Sequence, residues 1–70
     1  MPTHKKINTN DLPNNIGQTV IIKSANNTDM VSQVVALGPD GTTVLMKSNK
    51  YWFYQPIAYD ATKTVILVTP

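Results

Sequence analysis

Residues 42–57 read TTVLMKSNKYWFYQPI, two apolar runs joined by Ser48-Asn49-Lys50. A strand sends alternate side chains to opposite faces, so the four consecutive rings Tyr51, Trp52, Phe53 and Tyr54 cannot all enter one core. The spacing predicts a tight hairpin, with Lys50 standing where a two-residue turn prefers Gly. If Ser48 pairs with Tyr51, then Lys47 faces Trp52, Met46 faces Phe53 and Leu45 faces Tyr54. Tyr51 and Phe53 then share a face with Val44 and Met46, while Trp52 and Tyr54 share theirs with Leu45 and Lys47. Phe53 has no polar atom and is the core candidate, which leaves Trp52 and Tyr54 outside over the stem of Lys47. A one-residue bulge would exchange the two sets.

Working outward, the same kind of run recurs on both sides. In QTVIIKS, residues 18–24, Val20 and Ile22 alternate with Thr19, Ile21 and Lys23. In MVSQVVALG, residues 30–38, Val31, Val35 and Leu37 are in phase, with Met30, Ser32, Val34 and Ala36 on the other face. Gly38-Pro39-Asp40-Gly41 is the clearest turn, because Pro39 pre-sets φ and Gly41 tolerates a positive one. After AYDATK, where DATKT suits a single 3₁₀ turn, TVILVT is apolar on both faces. That pattern suits a central or closing strand, or one that meets another chain. The β-branched clusters and short spacing between turns exclude ordinary helices.

Residues 1–15, MPTHKKINTNDLPNN, follow neither hydrophobic period. They read as a flexible N-terminal arm, in which NDLP forms one turn that tucks Leu12 against a domain spanning residues 16–70. The expectation is therefore an all-β fold of five short strands. Seventy residues make one domain, and a chain this short buries only roughly 60% of the surface its unfolded form exposes. Apolar residues are 41% of the chain and charged ones 14%, against a usual charged share of about 25%. Disorder of the high-charge kind is excluded. With no Cys, packing or a partner chain must supply what disulfides or thiolate zinc sites supply elsewhere.

The segment Ile16-Gly17-Gln18-Thr19-Val20-Ile21-Ile22, followed by Ser32-Gln33-Val34-Val35-Ala36-Leu37, resembles the opening of KOW and Tudor-type SH3-like barrels. In those a Gly precedes an alternating first strand and a second strand follows a loop. The resemblance covers residues 16–46 and departs at Met30 and Val31, where such barrels carry a Gly. It implies the architecture of a small five-stranded SH3-like barrel and no functional residue. An OB-like, partly open barrel is the competing topology.

Function is bounded more than named. The net charge of +2 is a mild bias toward anionic partners, carried by six scattered Lys and no Arg. His4 lies in the arm, and Asp11, Asp29, Asp40 and Asp60 occupy turn-like contexts, where Asp bonds its own backbone. Neither an acid–base pair nor a convergent metal set is visible. Gly17, Gly38 and Gly41 match no nucleotide loop. The expectation is a non-catalytic module without metal or cofactor. The N-terminal residues do not read as a signal peptide and no run spans a membrane, so the expected setting is the cytoplasm of a prokaryote or the host of a phage. The Asn26-Asn27-Thr28 sequon carries little weight in such a setting.

Trp52 and Tyr54, with Lys47, Lys50 and Lys23 nearby, are the candidate binding residues. Protein-interface anchors are often Trp and Tyr, and the expected partner is another protein or a second copy in a homo-oligomer. The alternative is single-stranded nucleic acid, whose bases stack on such rings while lysines meet phosphates. Lysines gathered around the rings, Lys63 included, would favour nucleic acid; dispersed ones favour a protein. A third reading has Trp52 simply capping the open end of the core.

Overall fold

The computed structural model describes residues 3–26 and 28–70. Met1 and Pro2 of the expected arm, and Asn27 of the sequon, lie outside the described residues. The fold is all-β: one antiparallel sheet of six strands, not closed into a barrel. In chain order the strands are β1 (Thr3–Ile7), β2 (Thr19–Lys23), β3 (Asp29–Leu37), β4 (Thr43–Ser48), β5 (Trp52–Pro56) and β6 (Thr64–Thr69), with a 3₁₀ helix at Thr9–Asn15. Across the sheet the order is β1-β6-β2-β3-β4-β5. The anticipated barrel of five strands is thus replaced by an open sheet of six.

The added strand comes from the segment expected to be a flexible arm. Thr3 to Ile7 pair residue by residue with Thr69 to Val65, and the Thr3 and Thr69 hydroxyls meet. Only Ile7 packs against the core, so backbone pairing holds β1 and no hydrophobic period marks it. The 3₁₀ helix follows at once. The Asn8 N–H donates to Asp11 Oδ2 at 3.0 Å, and the Thr9 hydroxyl donates to the Ala58 carbonyl at 2.7 Å. These contacts fix Leu12, which is completely buried. The expected tuck of Leu12 is present, within a helix longer than one turn.

The core is Leu12, Val20, Ile22, Val34, Val44, Met46 and Val65, with Ile7, Phe53, Ile57 and Leu67 packed against it. Val20 and Ile22 face inward as their alternation requires. In β3 the alternation breaks. Val34 opposes Met46, but the next opposed pair is Ala36 with Leu45, so the extra residue Val35 forms a bulge. Ala36 therefore leaves the face it would share with Met30, Ser32 and Val34. A bulge bends and twists its strand, which here curls the sheet around its own side chains.

The turns have local causes. Gly38 N–H donates to the Thr43 carbonyl at 2.7 Å and Gly41 N–H to the Gly38 carbonyl at 3.1 Å, while Gly41 takes φ +77°. The Asp40 carboxylate accepts from Thr42 N–H at 3.1 Å. At 60–63 the Lys63 N–H donates to the Asp60 carbonyl at 3.2 Å, the i to i+3 bond of the expected single turn, with the Asp60 carboxylate accepting from the Thr62 N–H at 2.9 Å and its hydroxyl at 2.6 Å. β6 is central, lying between β1 and β2. Both its edges are paired, in keeping with the central position that its two-sided apolar character suggested.

Candidate functional site

The site is built on the β4–β5 hairpin. Its register pairs Lys47 with Trp52, Met46 with Phe53 and Leu45 with Tyr54, as the pairing of Ser48 with Tyr51 requires. The Ser48 hydroxyl explains how Lys50 is tolerated in the turn. It accepts from Lys50 N–H at 3.2 Å and Tyr51 N–H at 3.1 Å and donates to the Tyr51 carbonyl at 3.0 Å. A side chain thus satisfies backbone groups that a glycine turn would leave to its own geometry.

Phe53 packs against the core, with the Tyr51 ring 5.6 Å from it and tilted by 53°. The Tyr51 hydroxyl reaches Met30 Sδ at 3.8 Å. Trp52 and Tyr54 stand on the outer face, 56% and 55% exposed. That exposure rules out Trp52 as a cap on the core. The Lys47 ammonium lies 5.1 Å from the centre of the Trp52 ring, within cation–π range. Tyr54 instead borders a shallow apolar hollow with Pro39 and Thr43.

The lysines divide. Lys47 and Lys50 are exposed near the rings and line one open depression, which Asp29 also lines. Lys23 lies on β2, pairs with Asp29 across the strands and makes an ion pair with it at 3.6 Å. It is not part of the ring site. Lys63 turns to the inner side, where its ammonium is 3.5 Å from Gln55 Oε1. Beside it the Thr62 hydroxyl, then the Thr62 N–H, hold the Asp60 carboxyl below its ordinary range, and the Lys63 charge adds to this.

Two features of this region carry no signal in residue spacing. One is a cleft of about 260 Å³ next to β5, lined by Ile22, Met30, Phe53, Gln55 and Lys63 among others. The other is the position of β5 itself, at the end of the sheet with one edge paired to β4. Among the described residues no strand covers its second edge. Nor, among them, does any group of three or more His, Cys, Asp or Glu converge as a metal site would require. Among the described residues no helix is long and apolar enough to cross a membrane. Comparison of the chain with protein-family models, curated proteins and solved structures yields no match.

Proposed function

We propose that this chain is a small non-catalytic interaction module that contacts a protein surface, its own or another's, through β5. The observation that carries the reading is the combination on one strand of a bare edge and two outward rings, with Phe53 anchoring the strand from behind. Large, stiff aromatic side chains gain contact area at small entropic cost and recur as interface anchors. Exposed edges add backbone hydrogen bonds to such a contact. The order β6-β2-β3-β4-β5 supports regarding these five strands as an opened SH3-like unit, with β1 added beside β6.

The lysine positions weigh against single-stranded nucleic acid. Of the four lysines considered, Lys23 is tied to Asp29 and Lys63 faces Gln55, which leaves Lys47 and Lys50 as ring neighbours. The test uses the full chain and its Trp52→Ala/Tyr54→Ala variant. Added to a clarified lysate of its source cells, the parent should sediment above its monomer mass and the variant should not, while circular dichroism stays unchanged. A mixed-sequence single-stranded oligonucleotide at low salt should leave the Trp52 indole resonance in place. A shift that salt reverses would assign the rings to nucleic acid instead.

A further inference from the structure

The two bare edges of the sheet differ in charge. β1 carries Lys5 and Lys6 beside His4, and lysines on an edge discourage a second strand. β5 carries no charged residue. Its backbone groups can be assigned by alternation. At one end Ser48 N–H donates to the Tyr51 carbonyl at 3.0 Å, and at the other Ile57 N–H donates to the Thr42 carbonyl at 3.1 Å. Tyr51, Phe53, Gln55 and Ile57 therefore turn N–H and C=O toward β4, and Trp52, Tyr54 and Pro56 turn theirs away from the sheet.

Pro56 has no N–H, the arrangement expected where proline is confined to the open side of an edge strand. At the other end the Lys50 N–H is already held by Ser48 Oγ. The usable edge is thus the donors and acceptors of Trp52 and Tyr54, the same two residues whose rings stand outward.

We propose that this edge binds the β5 edge of a second copy, antiparallel, about a two-fold axis at Phe53. The inference rests on the reading of β5 as a contact strand and names its partner and register. Trp52 of each copy pairs with Tyr54 of the second copy, so every outward N–H and C=O of these residues is used. Sliding one step toward Pro56 opposes Trp52 to a residue without a donor and strands the Trp52 carbonyl. Sliding the other way opposes Tyr54 to Lys50, whose N–H is occupied. The self-complementary register also sets Trp52 beside Tyr54 of the second copy on the outer face, a favourable cross-strand aromatic pair. It brings no charged β5 side chain against its like, and such isologous two-fold contacts are the commonest route to a homodimer.

The test uses purified full-length protein alone, by amide hydrogen exchange and sedimentation across a dilution series. The Trp52 and Tyr54 amides should exchange freely when dilute and become protected when concentrated, in step with dimer formation. Phe53 and Gln55 amides should be protected throughout. Tyr54→Pro deletes an outward N–H together with the Tyr54 ring while leaving the hydrogen bonds to β4 in place, and should weaken the dimer by about tenfold to a hundredfold or more. Should that variant misfold, register is read by Phe53→Cys in this cysteine-free chain. Opposed residues of a non-hydrogen-bonded pair lie close enough for a disulfide, so Phe53→Cys should cross-link on oxidation and Gln55→Cys should not. Free exchange at Trp52 and Tyr54 with a monomer at every concentration overturns the second copy as partner. Dimers that cross-link through Gln55→Cys and not Phe53→Cys overturn the register. A monomeric pure protein that still forms a Trp52- and Tyr54-dependent complex in lysate would overturn this inference and leave the interaction reading standing; loss of both removes both.

Discussion

Replacing Leu12 by alanine removes three carbon atoms from a side chain with no exposed surface. At about 0.8 kcal/mol for each buried methylene-sized group the transfer loss is about 2.4 kcal/mol. A cavity adds to it, to the extent that the surroundings cannot close. The 3₁₀ helix is short and fastened at Asp11 and Thr9, so it can settle inward in part, and the expected total is about 2.5–3.5 kcal/mol. Marginal stability of about 0.05–0.15 kcal/mol per residue gives a chain of this size roughly 3.5–10 kcal/mol in all. Leu12→Ala should therefore lower the melting temperature by about 10–25 °C. Urea unfolding followed by far-ultraviolet circular dichroism measures the loss directly; the exposed Trp52 is a poor reporter. A loss under about 1 kcal/mol with an unchanged m value would show that the helix rests on the sheet without completing its core.

Gly38→Ala would bring a Cβ to 2.9 Å from the Thr43 carbonyl oxygen, and closer still to the Thr43 hydroxyl, so the β3–β4 turn must shift; a loss of about 1–3 kcal/mol is expected in urea melts, and an unchanged midpoint would contradict the geometry. Ser32 is buried, and its hydroxyl has no hydrogen-bond partner among the described residues, so Ser32→Ala should be neutral or raise stability by about 1 kcal/mol; a clear loss would reveal a partner. Asp60 is held below its ordinary pKa by Thr62, so its contribution is complete above the unfolded value and fades as pH falls through that value to the lower folded one. The stability difference between the parent and Asp60→Asn should shrink in acid over that window, and a gap independent of pH would refute the assignment.

The hairpin was legible because turn residues and alternation agree over residues 42–57, but its register was not fixed by them: a one-residue bulge suits the same residues with the faces exchanged, and Phe53, alone among its neighbours in lacking a polar atom, only favours the arrangement found. Parity put Trp52 and Tyr54 on one face together, and the register found makes that face the outer one. β1 was hidden because Thr3, His4, Lys5 and Lys6 are exposed and the strand is secured through its backbone. The bulge was hidden because Val35 is apolar and suits either face. Lys23 was grouped with the rings by residue type, yet its neighbour is set by strand pairing with Asp29. Which strand ends a sheet depends on pairing order across the chain, so neither the open side of β5 nor the meaning of Pro56 was visible from local pattern.

The pairing of β1 with β6 joins Thr3 to Thr69, sixty-six positions apart. During synthesis β1 emerges before β6, the strand it pairs with, and so without its neighbour. The intervening strands can form their local hairpins β2–β3, β3–β4 and β4–β5 beforehand, whereas the long closure is slow to win back its entropy. β1, with its two lysines, therefore waits while the strands between assemble, and the sheet is finished at the seam where its two strands most distant in sequence meet.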